Sequence, residues 1–388
     1  MARHFLDHAS TSIPRESARS AFTEALRLQE FSSIADPGRI HHEGMTTRAL
    51  LEQARAQVAD LLGAKQREIV FTSGATESIA TATWGAVRRG VDAGHRPHVV
   101  YSAVEHSAVR GSSELFAHSL GGSVSVVGVD DEGRIDIDAF LSSLAPNTVL
   151  AHVQWGNHEV GTLQPIQEIT NACHERGILV HVDAAQAVGH VPTTPKELGI
   201  DLLSFSGHKF GGPSGIGGLW IRQGLRIEPL LPGGEQERAR RAGLENVPAA
   251  IALGAAAAEL DQSTLDIEAS AARVLIAAAI ERLTAIDGVS LLGPSRAGAR
   301  LPHIACFAVE GVEPQGVVLG LDQRGISLHS GSSCASEGLE PSPILEAMGV
   351  DAHRSLRVSV GYNSTMSDID ALCEHLPVVL RELRSLHT

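Results

Sequence analysis

Short apolar runs rich in β-branched residues recur from about residue 46 to 225, and several are followed by stretches whose apolar positions fall at helical spacing. Candidate strands lie at 68–72, 98–102, 123–129, 148–154, 178–183, 201–206 and 216–222. Helical patterns occupy 77–89, 106–117 and 166–176. Strands that are apolar along their whole length are covered on both faces, and their alternation with helices predicts an α/β fold with a mostly parallel sheet. An Ala-rich helical stretch follows over 246–286, with a break near Ser263-Thr264. Beyond it the pattern is less regular, with strands at 304–309 and 355–360 and helices at 314–324 and 367–384. This predicts a second, smaller α+β domain. The expected division is a large domain over 15–255 and a small one assembled from 1–14 and 256–388.

Composition narrows the function. The 388 residues are 43% hydrophobic, enough for one large core and a smaller one. Asp and Glu number 45 against 31 Lys and Arg, a net charge of −14, so a broad basic face for direct nucleic-acid binding is not expected. Cys173, Cys306, Cys334 and Cys373 are far apart and form no C-x-x-C pair, which argues against a zinc site or a disulfide framework and for a reducing compartment. The first residues carry no apolar signal segment, and no run of eighteen apolar residues exists to span a membrane. The chain reads as soluble and cytoplasmic.

Four places carry candidate chemistry. In Ser204-Phe-Ser-Gly-His-Lys-Phe-Gly-Gly-Pro-Ser-Gly-Ile-Gly-Gly, one lysine, Lys209, sits among small residues, His208 and six glycines, with no acidic partner. Desolvation there would lower its pKa and free its lone pair, although an exposed turn lysine fits the same residues. Phe71-Thr-Ser-Gly-Ala-Thr-Glu-Ser-Ile runs from a strand into a helix, where free N–H groups suit a phosphate. An ordinary N-cap by Ser73 or Thr76 is the plainer account. Asp183 ends the apolar run Ile178-Leu-Val-His-Val-Asp, with Gln186 three residues on. A carboxylate there needs a buried cationic partner, such as a pyridinium nitrogen, or else caps the next helix. Cys334 lies in Leu328-His-Ser-Gly-Ser-Ser-Cys-Ala-Ser-Glu-Gly, a small polar loop where a thiol can ionise, unlike Cys173 and Cys306 in core patterns. Arg357, inside the strand pattern Ser355-Leu-Arg-Val-Ser-Val, suits either a carboxylate ligand or a structural ion pair. His41-His42-Glu43 looks like a metal cluster, but adjacent side chains rarely chelate one ion, and no metal is expected.

Taken in order, these segments resemble the cysteine desulfurases of the class V aminotransferase superfamily, which are pyridoxal-phosphate enzymes of fold type I. The resemblance runs through Leu6-Asp-His-Ala-Ser-Thr, Ile40-His-His-Glu-Gly, Thr72-Ser-Gly-Ala-Thr-Glu-Ser and Glu105-His106. It continues through Asn157-His-Glu-Val-Gly, His181-Val-Asp-Ala-Ala-Gln and Ser206-Gly-His-Lys, and ends with Ser330-Gly-Ser-Ser-Cys, Leu339-Glu-Pro-Ser and Arg357. It implies that Lys209 bonds the aldehyde of pyridoxal 5'-phosphate, that Asp183 pairs with the pyridine nitrogen and Gln186 with the phenolic oxygen, and that His106 stacks on the ring. Gly74, Ala75, Thr76, Ser206 and His208 would hold the phosphate. Asn157 would contact cofactor or substrate, and Arg357 the substrate carboxylate.

The same resemblance implies a reaction. L-cysteine would displace Lys209, whose amine then takes the Cα proton. The Cys334 thiolate would accept the sulfur as a persulfide, release L-alanine and pass the sulfur to an acceptor protein, within a homodimer. A carbon–sulfur lyase working by β-elimination and a selenocysteine lyase share the fold and the lysine. Departures from the usual pattern are His158 for the second asparagine of Asn-Asn-Glu, Ser214 for lysine, Glu235 for glycine, and Leu244 for a threonine that in relatives reaches the partner subunit's phosphate.

Overall fold

The computed structural model describes residues 3–31, 33–330 and 341–386. Its strands are β1 (His4–Phe5), β2 (Ile69–Thr72), β3 (His98–Ser102), β4 (Ser123–Val127), β5 (Thr148–Gln154), β6 (Leu179–Asp183), β7 (Leu202–Ser206), β8 (Gly217–Ile221), β9 (Val289–Leu292), β10 (Ile304–Val309), β11 (Ile326–Ser327) and β12 (Ser355–Ser359). The helices before the Ala-rich stretch are α1 (Glu16–Glu30), α2 (His42–Leu61), α3 (Ala75–Asp92), α4 (Ser107–Ser119), α5 (Ile137–Ser143), α6 (Ile166–His174) and the single turn α7 (Gln236–Ala239). The Ala-rich stretch itself forms α8 (Val247–Ala258) and α9 (Gln262–Leu283), and after it come α10 (Pro314–Asp322), α11 (Pro343–Ala347) and α12 (Met366–Ser385).

The seven expected strands form one sheet, in the order β2-β8-β7-β6-β5-β3-β4. Neighbours from β7 to β4 are parallel, while β8 runs antiparallel to both β2 and β7. The reversal follows from the connection. Only a short glycine-rich loop joins β7 to β8, too little chain for a parallel crossover. Gly217 permits the return, because a Cβ there would lie 2.4 Å from Phe205 O and 2.8 Å from Gly74 Cα. The chain therefore brings the starts of β8 and α3 against each other, and that contact shapes the site.

Helices α1 and α2 pack on α8 over one face of the sheet, through Ala18, Leu51, Ala54, Val58, Leu253 and Ala256. The alanines of α8 allow close approach: a Cβ on Gly254 would lie 2.7 Å from Ala54 Cα. Helices α3 and α4 cover the other face through Ile79, Val87 and Val109. A separate apolar cluster sits between the three-stranded antiparallel sheet β12-β10-β9 and helices α9, α10 and α12, around Ile276, Phe307, Val358 and Leu376. Among the described residues, no helix is long and apolar enough to cross a membrane.

Three local expectations change. The long Ala-rich pattern breaks at residues 259–261, earlier than Ser263-Thr264, because the Asp261 side chain accepts the Thr264 N–H (2.8 Å) and starts α9. Strand β4 stops at Val127, and Val129 instead bridges Ile135. His41 caps α2, its ring nitrogen Nδ1 accepting the Gly44 N–H at 3.2 Å. The histidine pair thus begins a helix that the periodicity did not announce.

Candidate active site

Strands β2, β3, β5, β6 and β7 end on the same edge of the sheet, where α/β proteins carry ligands. Their C-terminal residues and the loops beyond enclose a cavity of about 660 Å³. Gly74, Ala75, Thr76, His106, Asp183, Gln186, Ser206, His208, Lys209 and Arg357 all line it, so ten side chains or backbone positions singled out in the sequence converge. Cys334 lies outside the described residues.

One end of the cavity is the start of α3. Neither Ser73 nor Thr76 caps this helix. The N-cap is Gly74, at φ 151, with no side-chain cap. The Ser73 N–H goes to Glu77 Oε2 (2.8 Å), and Thr72 Oγ1 is engaged with Gly74 and Ser78. The N–H groups of Ala75 and Thr76 take no protein acceptor among the described residues. Ser206 Oγ faces them across Gly74, where a Cβ would lie 3.4 Å away. This is a set of open donors at a positive helix end, fitted to an anion.

The middle is built on three buried ionisable groups. Lys209 follows β7 on a short 3-10 turn, and its Nζ donates to Ala9 O (2.7 Å) and Ser10 O (2.9 Å). Burial and then the Arg357 charge pull its pKa down to about 8, against the opposing pull of Asp7 and Asp183. Asp183 ends β6. Its Oδ1 accepts the Ala185 N–H (3.0 Å) and the Ser204 hydroxyl (3.4 Å), while Oδ2 has no hydrogen-bond partner among the described residues. Burial pushes its pKa up, and His106, the Ala185 N–H and Lys209 hold it back. Behind it Glu105 is raised to about 8, by burial first and by Asp183 second. Glu105 Oε1 accepts the Gln154 N–H (2.8 Å), and Oε2 is buried with no hydrogen-bond partner among the described residues.

His106 caps α4, its Nδ1 accepting the Ala108 N–H (3.1 Å), so the ring hydrogen sits on Nε2. Burial lowers its pKa and keeps the ring neutral. His158 meets it edge-on at 5.2 Å, lines the same cavity and leaves its buried Nε2 without a partner. His208, whose Nδ1 is 3.3 Å from Thr11 Oγ1, is lowered to about 4 by burial and Lys209.

At the far end stands Arg357, on β12 and 1% exposed. It donates from one terminal nitrogen to His158 O (2.8 Å), and from the other to Asp7 Oδ1 (2.9 Å) and Ser10 Oγ (2.7 Å). This arginine therefore forms a structural ion pair with Asp7 and also borders the cavity.

Asn157 is not among the residues that line the cavity but sits beside His158, which is, and its side chain bonds locally. Its Oδ1 accepts the Glu159 and Val160 N–H groups (2.8 and 2.9 Å), and Nδ2 donates to Val104 O and Gln154 Oε1. It braces the turn that presents His158. Sequence reasoning missed the part of the N-terminal segment: Ala9, Ser10 and Asp7 hold both Lys209 and Arg357, although the motif Leu6-Asp-His-Ala-Ser-Thr was visible. Cys173 and Cys306 are buried, their thiols pushed up to about 12, as expected of core residues.

Open backbone donors at one end, an unpartnered carboxylate oxygen and a depressed lysine in the middle fit a phosphate-bearing pyridinium aldehyde. Comparisons with known proteins agree. The pattern of the family described as Aminotransferase class-V matches residues 4–372. Cysteine desulfurase IscS of Dictyoglomus turgidum is 38% identical over 98% of this chain and 95% of its own length. A cysteine desulfurase of Gluconacetobacter diazotrophicus is 39% identical, covering 98% and 94%. Among solved structures, a NifS-like protein superimposes with a TM-score of 0.88 at 27% identity, over 98% of this chain and all (100%) of that one. The chain belongs to the cysteine desulfurases of the class-V aminotransferase family, fold-type I enzymes that depend on pyridoxal phosphate.

Proposed function

We propose that this protein takes sulfur from L-cysteine, leaves L-alanine, and carries the sulfur as a persulfide on Cys334 before giving it to an acceptor protein. The observation that carries the reading is the convergence of buried Lys209, Asp183 and Arg357 on one cavity that ends at the open turn of α3. When bound, pyridoxal phosphate supplies an aldehyde for the amine and a protonated ring that draws off the electron pair released at the substrate's α-carbon.

The chain's own groups do the rest. Ala75 and Thr76 N–H, Ser206 and His208 would hold the phosphate, and Asp183 would pair with the ring nitrogen. Gln186 would meet the phenolic oxygen, and the neutral ring of His106 would stack on the cofactor. Lys209, with its pKa near 8, is a competent nucleophile near neutrality, and once displaced its amine moves the proton at the substrate's α-carbon. Arg357 holds the substrate carboxylate. The Cys334 thiolate then attacks the substrate sulfur. An S–S bond forms as the Cβ–S bond breaks, the bonding pair stays with carbon, and protonation of carbon gives alanine. No outside oxidant is needed.

A homodimer is part of this proposal. Segment 233–245 approaches the stretch around Asp36, as the influence of Asp36 on Glu245 indicates. Ile40 (92% exposed), Met45 and Leu244 offer apolar surface there for a second copy. A thiol that must stay reduced between turnovers suits the cytoplasm.

Product identification tests the reaction. With L-cysteine and a reductant, the cofactor-loaded protein should give alanine and sulfide in equal amounts. Cys334→Ser should keep the cofactor's visible absorbance and lose sulfur delivery, and Lys209→Ala should lose both. Pyruvate and ammonia in place of alanine would make the protein an eliminating lyase.

A further inference from the structure

Behind Gln186 and Lys209 lie two histidines that the reaction as described does not use. His190 and His303 stack face to face, their centroids 3.7 Å apart and their planes 15° from parallel. His303 is 1% exposed. Its Nε2 lies 3.2 Å from Gln186 Oε1, and its Nδ1 is buried with no partner among the described residues. His190 Nε2 lies 3.0 Å from Lys209 O.

The hydrogens of this cluster follow from one carbonyl. Ala9 O can only accept, and it receives both Lys209 Nζ (2.7 Å) and Gln186 Nε2 (2.8 Å). A flipped Gln186 would set two oxygens against each other at that distance. The amide nitrogen therefore faces Ala9, and its oxygen faces His303. His303 must then carry its hydrogen on Nε2 to donate to that oxygen. Protonating Nδ1 as well would bury a second donor with nothing to receive it. Burial, and then His190, His8, Arg357 and Lys209, all disfavour the cation. Lys209 O likewise requires the hydrogen of His190 on Nε2. The stack is thus a pair of neutral rings, one holding the backbone of Lys209 and the other the amide of Gln186.

An amide nitrogen carries two hydrogens. Ala9 takes one, and Gln186 lines the cavity, so the second is available to a ligand. We propose that His303 is a positioning residue: by donating to Gln186 Oε1 it locks the amide so that an N–H, and not the oxygen, meets the cofactor's phenolic oxygen. The inference rests on the proposed pairing of Gln186 with that oxygen. A donor there draws off negative charge that otherwise retains a proton beside it. The locked amide therefore lowers the pH midpoint of the bound cofactor's visible absorption, and it tightens cofactor binding. The stacked partner makes the lock rigid, because His303 cannot swing without leaving the ring beneath it.

The test is a pH titration of the visible absorption of the dimeric holoenzyme, with cofactor affinity measured separately on the apoprotein by fluorescence quenching. His303→Phe keeps the stack and removes the donor. It should raise the midpoint by about half to one unit and weaken cofactor binding roughly three- to tenfold. His303→Gln, which restores an N–H, should return the midpoint toward wild type. Gln186→Leu should shift the midpoint at least as far, and His303→Phe added to it should shift it no further. A midpoint that moves in Gln186→Leu but not in His303→Phe would overturn the inference and leave His303 as packing. A midpoint unmoved by Gln186→Leu would overturn the pairing on which it rests. If His303→Phe does not fold, His303→Leu gives the same reading without the ring.

Discussion

The first turn of α3 and the guanidinium of Arg357 offer N–H groups to opposite ends of one cavity, but in different states. The donors of Ala75 and Thr76 have no protein acceptor among the described residues. Both terminal nitrogens of Arg357 are engaged, by Asp7, Ser10 and the His158 carbonyl, and its buried Nε–H finds no partner among the described residues. A turn of open donors is unsatisfied until an anion arrives, so it favours a group that stays. An arginine already paired is stable when empty, so a carboxylate that joins it gains less and leaves more readily. The contrast suits a retained phosphate at one end and a substrate that must depart as product at the other.

Arg357 should give the largest effect. Arg357→Ala removes a buried charge that pairs with Asp7 and, in the proposed reaction, with the substrate carboxylate, and truncating such a group costs about 2–5 kcal/mol. KM for L-cysteine should rise on the order of a hundredfold or more by the same principle, and Arg357→Lys should not restore the fork geometry. Asp7→Asn sharpens the comparison. If Asp7 competes for the guanidinium, neutralising it should lower KM several-fold, as steady-state kinetics would reveal. A raised KM would mean that Asp7 only orients the arginine. Asp7 also supports the charge on Lys209, so the same variant should lower that lysine's pKa further. Cofactor capture by the apoprotein, which needs the neutral amine, should rise with pH and level off above about 8 in the wild type and at lower pH in Asp7→Asn.

The open end should respond more gently. Ser206→Ala deletes one hydroxyl facing the α3 turn, and a neutral hydrogen bond is worth about 0.5–1.5 kcal/mol. Cofactor affinity measured on the apoprotein should drop roughly three- to tenfold, with KM for L-cysteine unchanged. A change in KM without one in cofactor affinity would place Ser206 with the substrate.

The uneven legibility of the sequence follows from the same physics. Six of the seven strands of the large sheet stood out because they are buried along nearly their whole length, whereas the half-exposed edge strand β4 stood out only by its valines. Helices α1 and α2 were missed: α1 is mostly exposed with only Ala18 and Ala25 buried, and α2 begins on a histidine cap that resembles a metal pair. The strand-end residues Asp183, Lys209 and Gly74 were readable because local sequence alone sets them at the sheet edge. Asn157 is legible only as far as its own turn, onto which its hydrogen bonds fold back. Ala9 and Asp7 could not be read as parts of the site. They act through contacts with Lys209 and Arg357, some 200 and 350 residues away in the chain.

Leu244 offers the smallest and most discriminating change. It is 64% exposed, and it borders a second cavity of about 230 Å³ that shares Ser73 and Gly215 with the large one. A threonine there would add one hydroxyl at the donor-rich end of a dimer. Because the site is exposed, the exchange should alter stability by less than about 0.5 kcal/mol. Cofactor affinity should tighten about threefold, within the range of one neutral hydrogen bond. The gain should appear only in the dimer, so dilution below the dimer's dissociation constant should abolish it. An unchanged affinity in the intact dimer would mean that the α3 turn, Ser206 and His208 already saturate the phosphate. The open end would then be complete within one subunit, and the comparison with Arg357 would concern a single chain.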